Sequence, residues 1–169
     1  MSLGDIKSER MRKLASYTGA GFDAYPASVR RTNEIGAIGR NFPKLAKAKK
    51  KITLAGRLTA LRDHGGSTFA NIKDGSGAIQ LFFKQDVLGE KNYRLLLDTV
   101  DIGDFIEASG ILFKTKRGEE TLEVSGWRMA AKSLRPLPEK WHGLQDVEER
   151  FRRRYLDLLM NEGVKGRFV

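Results

Sequence analysis

Phe69, Asn71, Gln80 and Phe82 fall in one short stretch, FANIKDGSGAIQLFF. An aromatic ring offers a face on which any nucleobase can stack. A carboxamide offers a donor and an acceptor together, as base edges do. Two rings and two amides on one surface suit unpaired bases; the alternative is ordinary packing on an outer sheet face. Other chemistry is excluded by residue type. The chain has no cysteine, so it forms neither disulfides nor thiolate metal sites. Its two histidines, His64 and His142, are far apart, and neither sits at metal-ligand spacing. The glycines of DGSG lead into a strand pattern and not a helix, unlike a phosphate-cradling loop. No His-Glu-x-x-His motif, nucleophile triad or marked carboxylate pair is present. These residues point to a binding module rather than a catalyst.

Positioning such a face requires strands. In KITLAGRLTALRD, Ile52, Leu54 and Leu58 alternate with Thr53, Arg57 and Thr59, the pattern of a half-buried strand. His64-Gly65-Gly66 is a turn. STFANIK sends Thr68, Ala70 and Ile72 one way and Phe69 and Asn71 the other. DGSG is a hairpin signal, and AIQLFF buries Ile79, Leu81 and Phe83 while leaving Gln80 and Phe82 opposite. The period then changes. DVLGEKNYRLLLDTV carries Val87, Tyr93, Leu96, Leu97 and Val100 on a helical stripe. DFIEASGILF, bent at its central glycine, and TLEVSGW complete five strands around TKRGEE. Three strands, one helix and two strands predict a mainly β fold, the five-stranded Greek-key barrel called the OB-fold, whose second and third strands form its usual ligand face. Arg57 points outward too, as a phosphate contact or a plain surface charge.

The flanks carry the charge. Of a net charge of +10, most lies in residues 1–51, which hold 12 Lys/Arg against 4 Asp/Glu. That bias suits a polyanion such as nucleic acid, beside the alternative of solvated lysine faces. Residues 5–18 place Ile6, Met11, Leu14 and Tyr17 on one helical face, with Gly19 and Gly21 as stops. FDAYPAS is extended before Pro26. The pattern from Arg30 to Arg40 is weak, Asn41–Ala48 predicts a short helix, and Lys49-Lys50-Lys51 follow. Arg10, Arg12, Lys13 and these three lysines are candidate RNA-backbone contacts. Beyond the barrel, KSLRPLPEKWHGLQD is a proline-punctuated linker. VEERFRRRYLDLLMNEG predicts one helix with Phe151, Tyr155, Leu158 and Leu159 on a face, and Arg152–Arg154 facing phosphates or paired with Glu148 and Glu149. No apolar run approaches the ~20 residues of a membrane helix, so a cytoplasmic location is expected. The organisation expected is a basic helical arm (1–48), a barrel (49–132), and a linker with the start of a further domain (133–169).

The linker and final helix resemble the junction between anticodon-binding and catalytic domains in bacterial-type class II lysyl-tRNA synthetases. The resemblance runs upstream through GRLTALRDHGGSTFANIKDGSGAIQLFF, DIGDFIEASGILFKTKRGEETLEV and DAYPAS. Arg-Pro-Leu-Pro with Trp-His-Gly-Leu is specific to lysyl enzymes, whereas Arg-Tyr-Leu-Asp-Leu is shared with aspartyl ones. The resemblance implies a full-length parent that activates lysine with ATP and Mg2+, charges tRNA(Lys) and forms a homodimer. Its three catalytic motifs would lie beyond Val169, so the chain is expected to be inactive alone and to need no cofactor. It further implies that Phe69 stacks an anticodon base and that Gln80 reads the central uridine. Arg62, expected in the loop after the first strand, and Glu119 match anticodon contacts of aspartyl enzymes. Asn71 and Phe82 share the face. The alternative is a free-standing OB module binding single strands without sequence preference, against which the linker argues.

Overall fold

The structure, a computed structural model, describes residues 2–137 and 146–165. The Trp-His-Gly-Leu part of the linker and the terminal Arg167-Phe168-Val169 lie outside the described residues. The chain divides into two compact units, Met1–Arg135 and Pro136–Val169.

In the first unit, α1 (Leu3–Gly19) and α2 (Ile35–Ala48) precede β1 (Ile52–Asp63), β2 (Ser67–Lys73) and β3 (Ala78–Lys84). Helices α3 (Gln85–Leu88) and α4 (Glu90–Thr99) lead to β4 (Phe105–Lys114) and β5 (Glu120–Ala131). The strands close a barrel in the order β1-β2-β3-β5-β4, with β3 and β5 parallel and every other pair antiparallel. Strand alternation fills it: Leu54, Leu58, Ile72, Leu81, Phe83, Ile106 and Leu122 are fully buried. Each such side chain stabilises the fold by about 1.5–3 kcal/mol relative to exposure. The five strands and the helical insertion between the third and fourth are those the sequence predicts.

Several details differ from expectation. Strand β1 does not end before Arg62. Its register against β2 shifts after Leu58, which faces Ile72 while Ala60 faces Asn71, so Thr59 is a bulge. One extra residue reverses the alternation, and Arg62 comes to lie opposite Phe69. A second shift falls at Gly110, where an added Cβ would sit 1.9 Å from the Glu123 carbonyl oxygen; only glycine lets β4 and β5 approach there. The expected single helix breaks at Gly89 (φ 79°) into α3 and α4. Leu88, not Val87, turns inward, and Val87 is 43% exposed.

The N-terminal segment is not a free arm. Ser2 and Asp5 form a capping box at the start of α1. Tyr17 is buried, its hydroxyl accepting from the Met129 N–H at 2.9 Å, while Met11, expected inward, is 52% exposed. Helix α2 begins at Ile35, well before the expected Asn41, and buries Ile35, Ile38 and Phe42. Its leading N–H groups are taken by the DGSG turn: Asp74 accepts from Ile35 at 3.0 Å, and Ser76 Oγ from Gly36 at 2.9 Å. Gly36 is required there, because a Cβ would meet the Ser76 carbonyl oxygen at 2.5 Å. Glycines 36 and 39 hide this helix from a propensity reading, and the partner that starts it is forty residues away.

The second unit holds α5 (Val147–Arg152), α6 (Arg154–Met160) and α7 (Glu162–Lys165) instead of one helix. Asp157 is buried and accepts from Asn161 at 2.6 Å, Arg150 at 2.9 Å and Arg154 at 3.0 Å, which hold its carboxyl below its ordinary range. Phe151, Tyr155 and Leu159 are exposed. Arg152 pairs with Glu148 at 2.7 Å; the side chain of Glu149 lies outside the described residues. No helix among the described residues is long and apolar enough to cross a membrane.

Candidate nucleic-acid interface

The hairpin of β2 and β3 sets Phe69 opposite Phe82 and Asn71 opposite Gln80, so all four side chains share the outer face. The two rings stack with centroids 4.5 Å apart and planes 20° from parallel. Phe113 of β4 lies 6.0 Å from Phe82, and His64 meets Phe69 edge-on at 6.3 Å. Lys84 stands 5.4 Å above the Phe82 ring and pairs with Glu123 at 3.4 Å. The result is an aromatic strip with cations on its rim, including the exposed Arg62 delivered by the Thr59 bulge. A stacked pair of rings is rigid, so little side-chain entropy is lost when a base lands on it.

Beside the strip opens a cleft of about 500 Å³, whose lining includes Asn71, Gln80, Arg117 and Glu119. Glu119 is held there by the β4–β5 hairpin. Its carbonyl accepts from the Thr115 N–H at 3.0 Å, its own N–H donates to Thr115 Oγ1 at 3.1 Å, and Gly118 makes the turn at φ 85°. Gln80 Oε1 accepts a hydrogen bond from Thr121 Oγ1 at 2.9 Å. Asn71 Oδ1 is buried without a hydrogen-bond partner among the described residues. An unpaired buried acceptor costs about 1–3 kcal/mol.

The remaining candidates are not part of this group. Arg57 lies midway along β1, and its guanidinium donates to the Gly103 carbonyl at 3.0 Å and lies 4.2 Å over the Phe105 ring. Arg10 is the clearest correction. It is only 8% exposed, and its guanidinium donates to the carbonyls of Ser133, Arg135 and Ile102. Lys13 pairs with Asp101 at 2.6 Å. Burial pushes the Asp101 carboxyl up, but hydrogen bonds from Lys13 and Lys132 outweigh it and hold the group low. These side chains dock α1 onto the barrel and are not available to phosphates. Arg12, paired with Glu9, and Lys49, Lys50 and Lys51 are exposed. Sequence reading missed Phe113, Arg117 and Thr121. Phe113 follows strand alternation in ILFK and was findable; the other two depend on how the barrel closes.

A closed five-stranded barrel with an aromatic strip and a polar cleft on its β2–β3 face has the architecture of an OB-fold. Residues 52–136 match the family described as OB-fold nucleic acid binding domain, and the chain belongs to that family. Over nearly its whole length it is also similar to lysine–tRNA ligases. It is 43% identical over 167 residues to that of Carboxydothermus hydrogenoformans, covering 99% of this chain and 34% of the relative. It is 43% identical over 169 residues to that of Roseiflexus castenholzii, covering 99% and 35%, and 42% identical over 165 residues to that of Moorella thermoacetica, covering 98% and 33%. The chain thus spans about a third of the length of the curated relatives it matches.

Proposed function

We propose that this chain is the anticodon-recognition part of a lysine–tRNA ligase. The observation that carries the reading is the adjoining of two recognition elements on one barrel face: the Phe69–Phe82 stack, and the cleft holding Gln80, Asn71 and Glu119. The stack supplies base-tolerant affinity, and the cleft supplies choice among bases. Arg62, opposite Phe69, is assigned to the anticodon, and the exposed Arg12, Lys49, Lys50 and Lys51 to the RNA backbone; Arg10, Lys13 and Arg57 are held by protein groups instead. The full-length protein is proposed to join lysine to tRNA(Lys) with ATP and Mg2+, as a cytoplasmic homodimer, with residues 133–169 leading into its catalytic domain. Among the described residues no three His, Asp or Glu side chains converge on a metal-sized site, and no step of that reaction is assigned to them.

The test is binding of lysine-type anticodon stem-loops against versions with the central base exchanged, at fixed salt. Gln80→Ala is expected to cost about 1–3 kcal/mol against the matched central uridine and much less against the exchanged bases. Equal binding of all stem-loops by the unmodified protein would instead identify a sequence-tolerant single-strand binder.

A further inference from the structure

Thr121 is fully buried although it opens β5 beside the exposed hairpin, and the parallel pairing of β3 with β5 sets it directly opposite Gln80. Its Oγ1 lies 2.9 Å from Gln80 Oε1 and 3.2 Å from the Glu119 carbonyl oxygen. We propose that Thr121 is a positioning residue: it fixes which limb of the Gln80 amide faces the cleft, and thereby sets the preference for uridine over cytidine. The inference rests on reading the cleft as the anticodon site.

A hydroxyl has one proton to donate, and the shorter of the two contacts is to Gln80. With Oε1 held by Thr121, the NH2 limb is left for the cleft. The cleft is also lined by Glu119 and Arg117, and the Gln80 NH2 adds an uncharged, directional donor beside them. A donor matches the carbonyl that uridine carries at C4 and opposes the amino group that cytidine carries there. The reversed amide is also a complete network. Thr121 would then donate to the Glu119 carbonyl and accept from the Gln80 NH2, Oε1 would face the base, and cytidine would be preferred. Of these two arrangements, the one in which Thr121 donates to Gln80 has the shorter contact, 2.9 Å against 3.2 Å to the Glu119 carbonyl, and it is the one that leaves the NH2 limb to the base. Phe69 cannot do this, because stacking barely distinguishes pyrimidines.

The experiment compares the unmodified protein with Thr121→Val and Thr121→Ser. The probes are anticodon stem-loops differing only at the central base: uridine, cytidine or 4-thiouridine, whose sulfur is a poor acceptor. Valine keeps the volume and removes the hydroxyl, freeing the amide to turn. The expected result is a uridine-to-cytidine affinity ratio reduced roughly tenfold, with cytidine binding becoming tighter in absolute terms. Damage to packing alone would weaken both probes together. Serine is expected to keep the original ratio. An unchanged ratio in Thr121→Val, a serine variant behaving like valine, or a cytidine preference in the unmodified protein overturns the proposal. If circular dichroism shows that the valine variant is unfolded, the unmodified protein decides: several-fold weaker binding of 4-thiouridine supports a donor aimed at C4, and equal binding overturns it. Loss of discrimination in Gln80→Ala but not in Thr121→Val sinks this inference alone. An unmodified protein indifferent to the central base sinks the anticodon reading with it.

Discussion

The outer face of β2 and β3 keeps Phe69, Phe82 and Gln80 half-buried beside an open cleft, whereas the basic segment ahead of β1 turns several of its charges inward. Both regions contain residues of the kind that grip RNA. On the barrel, cross-strand pairing leaves their recognising atoms available. In α1, Arg10 and Lys13 are spent on carbonyls and on Asp101. A cation count therefore overstates the phosphate contacts of the N-terminal segment, and what a charge is already bonded to decides whether it can bind anything else. The largest effect expected from this difference is on folding. Lys132, fully buried, binds Asp101 at 2.6 Å, Asp104 at 2.7 Å and the Thr99 carbonyl at 2.7 Å, in the cluster that also anchors Lys13. Lys132→Met leaves two carboxylates without their shared cation, and breaking such a buried pair costs about 3–5 kcal/mol. A large drop in Tm is expected, with the ratio between matched and exchanged stem-loops unchanged in whatever protein remains folded. A variant of full stability that has lost discrimination would mean that the cluster serves recognition directly.

The opposite outcome is expected on the barrel face. Phe69→Ala removes the ring that stacks on Phe82 but takes nothing from the core, so affinity should fall by about 1–3 kcal/mol for every stackable base. The fold should survive. Titration of stem-loops beside a thermal melt measures both, and an unfolded variant would show the strip to be core.

These two residues also mark how far the sequence can be read. Alternation in FANIK and AIQLFF assigned Phe69, Asn71, Gln80 and Phe82 to one face, because a strand's period of two needs no tertiary information. It fails at Thr59, since a bulge inserts its extra residue without altering composition, and strict alternation then gives no sign that Arg62 belongs to the strand opposite Phe69. It failed again at Arg10, where position on a helix said nothing about the three carbonyls that converge on it. Helix α2 was half seen. Ile35, Ile38 and Phe42 have helical spacing, but the groups that start the helix, Asp74 and Ser76, belong to a distant hairpin turn. Thr121 acquires its role only when β5 closes against β3.

That hairpin turn joins the barrel face to the N-terminal segment and predicts a pH effect. Burial pushes the Asp74 carboxyl up, but the Ile35 N–H and donors from Ser76 and Gly77 outweigh it and hold the group below its ordinary value. A carboxyl depressed in the folded state stabilises above its unfolded value of about 4, and that contribution disappears as pH falls through the lower folded value. Asp74→Ala should therefore cost about 1 kcal/mol at pH 7, in the range of a lost helix cap. Below pH 4 the gap between variant and unmodified protein should narrow. Thermal melts at both pH values measure it, and a gap constant across that range would remove the charged cap from the account.

The smallest effect distinguishes the exposed cations from the clamped ones. Lys49, Lys50 and Lys51 lie between α2 and β1 and are exposed. Deleting residues 1–48 cannot test them, because it removes Tyr17, Ile35, Ile38 and Phe42 from the core. Replacing the three lysines with glutamine leaves that packing alone. If they meet phosphates, stem-loop affinity should fall by similar amounts for matched and exchanged anticodons. The slope of log affinity against log salt should also flatten, by about 0.7 for each single-strand phosphate that is no longer neutralised. Stability should hold within about 0.5 kcal/mol, the usual range for surface substitutions. Lys13→Gln should do the reverse, lowering Tm through loss of the Asp101 pair while leaving the salt slope where it was. Salt titrations and melts of the two variants side by side measure both quantities. A flattened slope in Lys13→Gln, with none in the triple variant, would put the RNA-facing charge in the helix after all and undo the distinction between clamped and exposed cations.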